Sequence, residues 1–178
     1  MKKLILFFLL IFCISENLKA QESQISNRLG LGFQLCQYQN DFGLGLNMTS
    51  PYFFYDHMAV RLRGNLVFYQ HAQNNETVWS PYSNFSLGMI GVGGKVGEFI
   101  RLYGEGGVVL LLPSEEFSTR SKELGGYGLF GFEFYMSHSF NYYIEIGGVG
   151  IGANADKLVN SPIYSNGFLI NVGFRAQF

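Results

Sequence analysis

From residue 27 onward, apolar and polar positions alternate with a period of two. The last segment is the clearest. Phe168, Ile170, Val172, Phe174, Ala176 and Phe178 share one face, and Leu169, Asn171, Gly173, Arg175 and Gln177 share the other. Successive side chains of an extended strand point to opposite faces, so this alternation predicts a strand with one apolar and one polar side. The same phase recurs at Leu29, Leu31, Phe33 and Leu35, at Phe42, Leu44, Leu46 and Met48, and at Met58, Val60, Leu62, Leu66 and Phe68. It returns at Phe85, Leu87 and Met89, at Ile100, Leu102, Val108 and Leu110, at Phe130, Phe132, Phe134 and Met136, and at Tyr142, Ile144 and Ile146. The pattern predicts eight strands of roughly 9–15 residues. No apolar run after residue 27 reaches the ~20 residues of a spanning helix.

Charges decide which face is which. Arg28, Arg61, Arg63, Arg101, Glu105, Glu133, Glu145 and Arg175 all fall opposite the large apolar side chains. A soluble lipocalin-like barrel would place apolar residues inside; here the apolar face is continuous over every strand and free of charge. The expectation is an all-β fold, an eight-stranded antiparallel transmembrane β-barrel in an up-and-down meander. Closure removes sheet edges and satisfies every backbone group in lipid. The eight charged residues then form an interior network, because enclosed charges must pair or pay a desolvation cost of several kcal/mol each. Its first reading is structural, a filling of the lumen. A gate or narrow path is the alternative, and five Arg against three Glu would favour anions.

Composition narrows the class. Hydrophobic residues make up 48% and charged residues 14% of the 178 residues, where soluble domains carry about 25% charged. Aromatics at 17% exclude disorder. A net charge of −1 with no basic patch argues against a nucleic-acid partner. Lys2 and Lys3 precede the apolar run from Leu4 to Ile14, and Ala20 precedes Gln21, which predicts a signal peptide over residues 1–20 and a barrel domain over 21–178. A lipoprotein signal at Cys13 fits less well, because Phe12 is not small. Removing Lys2, Lys3, Lys19 and Glu16 leaves 9 Lys+Arg against 12 Asp+Glu, a net charge of −3. Cys36 is then the sole cysteine, expected to be a small buried side chain with no internal disulfide. The glycines over 88–97 precede a strand pattern rather than a helix, so no phosphate loop is expected.

Short turns are expected at 50–56, 93–98 and 137–139, a tight hairpin at Gln39-Asn40-Asp41, and longer polar loops at 70–81, 113–123 and 153–164. Aromatics cluster at both ends of the predicted strands: Tyr52, Phe53, Phe54, Tyr55, Tyr135, Phe140 and Phe178 at the turn end, and Phe68, Tyr69, Trp79, Tyr82, Tyr127 and Tyr164 at the loop end. Such girdles anchor barrels in the headgroup region. Of the histidines, His57 and His71 are expected to be solvated, in a turn and at the head of a loop, and no spacing supports a metal site.

On these residues the chain resembles the small eight-stranded outer-membrane barrels of Gram-negative bacteria, the OmpA transmembrane domain, OmpX and OmpW among them. The resemblance covers residues 27–178 and is most specific in Ile170, Val172, Phe174, Ala176 and Phe178. In the family, this C-terminal pattern is read by the barrel-assembly machinery. The resemblance implies an outer-membrane location with both termini in the periplasm, outer-membrane lipids including lipopolysaccharide as surroundings, a monomer, no cofactor, and an unknown extracellular ligand. The function it implies is structural or surface-interacting through the outer loops (membrane integrity or adhesion), with a narrow channel or carrier for small solutes as the alternative. An enzyme is not expected. His138, Ser139 and Glu145 superficially look like the lipid A deacylases, but His and Ser are adjacent here and two apart there.

Overall fold

The computed structural model describes residues 28–178 apart from Asn40, Asn74, Asn75, Glu98 and His138. The expected signal peptide, the tip of the first hairpin and the His138 reading fall outside the described residues. Eight strands follow in order: β1 (Gly30–Tyr38), β2 (Asp41–Thr49), β3 (Met58–Gln73), β4 (Glu76–Val96), β5 (Ile100–Leu112), β6 (Glu123–Ser137), β7 (Phe140–Gly150) and β8 (Gly167–Gln177). Each pairs antiparallel with its sequence neighbours, and β1 pairs with β8 from Gly30↔Gln177 to Tyr38↔Leu169 to close the ring. The outcome is the eight-stranded antiparallel barrel that the alternation predicts.

The outward face is apolar and open. Leu46 is 67% exposed, Val108 59% and Leu124 72%. Inward positions of the strands are buried, including Arg61, Glu133, Glu145 and Arg175. The faces therefore lie as the charge phase requires.

Three expectations need correction. The loop expected over 70–81 is strand over 70–73 and 76–81: β3 and β4 continue their pairing through His71↔Val78 to Gln73↔Glu76. Thr77, Val78 and Trp79 favour extended backbone. Pro81 sits where β4 has a partner on one side only, because pairing with β5 begins at Ser83↔Leu112, and that is where a sheet tolerates proline. β4 accordingly spans 21 residues, longer than expected. His71 is inside this hairpin and buried, not solvated. Third, the girdle is thinner than expected. Tyr52, Tyr69, Tyr82, Tyr135 and Tyr164 are buried and Tyr127 lines the interior, whereas Phe54, Trp79 and Phe178 are exposed. Within the strands parity decides this: Tyr69 follows the outward Phe68 and so points inward.

The two ends differ. At the turn end the chain crosses at 50–57, 97–99 and 138–139. At the loop end, 113–122 and 151–166 fold over the mouth and carry Phe117, Ala153, Ala155 and Tyr164 into the barrel, all fully or nearly fully buried. There they meet Tyr38, Val67, Tyr69, Tyr82, Val109, Leu111, Leu129, Val149 and Leu169. The loop half of the lumen is thus an apolar core rather than the polar interior expected throughout. Its signal lies in the runs Val108-Val109 and Leu110-Leu111-Leu112, which are apolar on both faces.

Candidate functional site: a filled lumen under a closed mouth

Interior charge is organised in two groups. In the first, Arg61 Nη1 donates to Glu105 Oε2 at 2.7 Å and to Glu145 Oε1 at 2.6 Å. Arg63 Nη2 donates to Glu105 Oε2 at 2.5 Å, and its Nη1 to Glu145 Oε2 at 2.7 Å. Two arginines two residues apart on β3 thus hold carboxylates from β5 and β7 across the lumen. The hydroxyls of Tyr103 and Tyr127 donate to Glu145 Oε1 at 2.5 Å and to Glu105 Oε1 at 2.7 Å, and Asn171 Nδ2 donates to Glu145 Oε2 at 2.9 Å.

The second group lies nearer the turn end. Glu133 accepts from Arg101 Nε at 2.8 Å and from Arg175 Nη1 at 2.6 Å. Arg101 also donates to the Tyr52 hydroxyl at 2.7 Å, and its guanidinium carbon lies 4.2 Å from the centroid of that ring. Arg175 faces Tyr143 at 4.8 Å and reaches Asn47 Oδ1 at 3.4 Å.

Arg28 stands apart from both groups. It precedes β1, is part-exposed, and donates to Ser139 Oγ at 3.2 Å on the turn-end rim. The alternation places it in phase with the interior, but the strand has not yet begun, so parity no longer steers its side chain. The structure therefore brings together seven of the eight predicted charges.

Sequence reasoning missed three parts of the interior. One is the bonding of tyrosine hydroxyls to the carboxylates, since the alternation puts Tyr103 in the lumen but gives it no partner. Another is an amide belt above them. Gln34 Nε2 donates to Asn65 Oδ1 at 2.7 Å, Asn65 Nδ2 to Asn84 Oδ1 at 2.7 Å, and Asn84 Nδ2 to the Tyr38 hydroxyl at 2.8 Å. The last is Asp41, buried at the loop end, whose Oδ2 accepts from the Tyr82 hydroxyl at 2.7 Å and the Ser165 backbone N–H at 2.9 Å. Its signal was its phase, opposite Phe42. Between the amide belt and the apolar core lies a hollow of about 20 Å³ that Arg63, Asn84, Tyr127 and Leu169 help to line. That is room for about one water.

The mouth is fastened by the loops themselves. The Thr119 backbone N–H donates to Asp156 Oδ1 at 2.8 Å, and the Thr119 hydroxyl donates to Oδ2. These two bonds hold the Asp156 carboxyl below the usual carboxylate range. Lys157 reaches the Glu115 carbonyl, and its backbone N–H donates to the Phe117 carbonyl at 3.1 Å. Phe117 packs edge-on to Tyr164 with centroids 4.9 Å apart. Burial pushes the Tyr164 hydroxyl up to about 12.

One cluster here carries residue types used in hydrolysis. Ser80 Oγ donates to Glu116 Oε2 at 2.5 Å and lies 2.9 Å from His71 Nε2. A hydroxyl has one proton. Because it goes to Glu116, Nε2 of His71 must be the donor to Ser80. A serine nucleophile needs the opposite, an imidazole nitrogen that accepts from the hydroxyl. The geometry ties loop 113–122 to the wall of β3 and β4. Ser139 and Glu145 are also separated, at the rim and in the first charge group.

No family model matches the sequence, and no curated protein is significantly similar to it. Solved structures are similar in fold. The N-terminal β-barrel domain of Pseudomonas aeruginosa OprF aligns over 86% of this chain and 98% of its own, with 14% identity and a TM-score of 0.58. The outer-membrane protein OprG of Pseudomonas aeruginosa aligns over 88% and 98%, with 13% identity and a TM-score of 0.50. The Yersinia pestis outer-membrane protein Ail, solved in a phospholipid bilayer nanodisc, aligns over 85% and 99%, with 14% identity and a TM-score of 0.50. With eight strands closed in one ring, an apolar outer wall and an ion-paired lumen, the chain has the fold of the small eight-stranded outer-membrane β-barrels.

Proposed function

We propose that this protein is an integral outer-membrane barrel whose lumen is closed, and whose role is structural or surface-interacting through its loop end. The observation that carries the reading is the double filling of the interior. Ion-paired Arg61, Arg63, Glu105 and Glu145 cross the lumen, and Phe117 and Tyr164 close the mouth above them. The apolar outer wall supports a place in lipid. Soluble monomers rarely expose contiguous apolar patches beyond a few hundred Å², and here every strand contributes to one band. Short turns and both described chain ends share one rim, which becomes the periplasmic side by the usual asymmetry of such barrels. Residues 1–20 serve as a cleaved signal peptide. Ile170, Val172, Phe174, Ala176 and Phe178 serve as the signal for the assembly machinery. The barrel works as a monomer among outer-membrane lipids, lipopolysaccharide included, and carries no catalytic role.

Refolding residues 21–178 in detergent, with a heat-dependent gel shift as the sign of folding, and recording currents in a planar bilayer tests this reading. A folded, silent barrel is the expected result. Discrete current steps altered by Glu105→Ala or Arg101→Ala would replace it with a narrow channel gated by the interior charges.

A further inference from the structure

The outward wall carries a polar hollow at its loop end. Gln37, Gln39, Phe42, Gln70 and Trp79 surround a groove of about 390 Å³ at the loop end, and all five side chains are exposed. Gln37 pairs with Phe42 across β1 and β2, and Gln70 with Trp79 across β3 and β4. The groove exists because neighbouring hairpins differ in height. β2 ends its pairing with β3 at Asp41↔Tyr69, while β3 and β4 continue to Gln73↔Glu76. The tall hairpin thus forms a wall beside a low one.

Its chemistry is specific. Below it, Leu35, Leu44 and Leu66 form an exposed apolar surface, so glutamine on this face breaks the pattern of the strands. The side chains of Gln39 and Gln70 make no hydrogen bond to another described residue, and that of Gln37 uses only its Nε2, on the Tyr38 carbonyl at 2.7 Å. A primary amide both donates and accepts, which suits hydroxyl groups. None of the five lining residues is charged, so phosphate has no counter-charge in the hollow. The Trp79 ring is half-exposed and offers an amphipathic face and an indole donor at the level where such rings sit in headgroups.

We propose that this hollow binds the neutral saccharide headgroup of an outer-leaflet glycolipid, with its acyl chains lying along Leu35, Leu44 and Leu66. The proposal rests on the membrane placement above and names a partner for the outward wall. Trp79 is the single tryptophan of the chain, so its emission reports on this site alone. The experiment places the folded barrel in phosphatidylcholine nanodiscs doped with monoglucosyl diacylglycerol, or with diacylglycerol of the same chains. Only the glucolipid is expected to change Trp79 emission, saturably with its mole fraction. In Gln37→Ala/Gln70→Ala the midpoint is expected to rise about tenfold, with an unchanged heat-dependent gel shift. An equal response to both lipids, or to the glucolipid in wild type and double variant, would overturn the site. Equal titration by free methyl glucoside would overturn the lipid-anchored assignment. Failure of the barrel to co-elute with nanodiscs is a separate readout, and it would sink the membrane placement instead.

Discussion

The ring of Tyr103 fills the space that a side chain at Gly131 would need: a methyl there would lie 2.2 Å from the ring's Cζ. The two residues are paired across β5 and β6, and the ring's hydroxyl is bonded to Glu145. Tyr103 therefore cannot move aside without giving up that bond. Gly131→Ala is expected to destabilise the barrel by about 1–3 kcal/mol through overpacking. Gly128, three residues away with nothing near its missing side chain, is the control. Urea titration in lipid bilayers, read by the heat-dependent gel shift, should separate the two, and equal midpoints would contradict the packing argument.

Glu145 is the most heavily bonded carboxylate, accepting from Arg61, Arg63, Tyr103 and Asn171. Removing one partner of a buried pair leaves a charge unpaired, at a cost of about 3–5 kcal/mol. Glu145→Gln should show a loss of that order in the same titration. Arg28→Ala should stay within about 0.5 kcal/mol, since Arg28 lies part-exposed at the rim. Reversal of that order would mean that the quartet does not brace the barrel.

Asp156 ties the two long loops together through Thr119. Its pKa is lowered in the folded protein, so the contribution of the link is fully present above the ordinary aspartate value. It is lost as pH falls through the lowered one. Protease cleavage within 113–122 should accelerate under that acidic condition, and Asp156→Ala should raise cleavage at neutral pH and weaken its acid dependence. Cleavage in the variant equal to that of the wild type at neutral pH would show that the link adds nothing to the contacts of Lys157, Glu116 and Phe117.

Phe117 anchors the closed mouth, fully buried among Tyr69, Tyr82 and Tyr164. Phe117→Ala is expected to cost about 3–5 kcal/mol and to expose loop 113–122 to protease. Currents in planar bilayers should stay absent, because the Arg61, Arg63, Glu105 and Glu145 quartet lies deeper. Steady conductance in this variant would locate the barrier at the loops instead.

The sequence by itself determined the number of strands, their phase and the side to which the seven charges within those strands turn. Those follow from a period of two, which is local, and from the cost of a charge on a continuous apolar wall, which holds at every position of that wall. It could not assign partners. Arg61 and Arg63 reach Glu105 and Glu145 across the barrel, and such distances exist only once the ring has closed. Nor could it place Arg28, where the strand that would orient it has not begun, or Tyr52, whose position in a turn hides its inward direction. The loops are the clearest case. Polar loop sequences read as solvent, yet Phe117 and Tyr164 find an apolar chamber made by Val67, Val109, Leu111 and Leu169 from three different strands. Only the tertiary structure brings those walls together, and burial of the two rings is what draws the loops in.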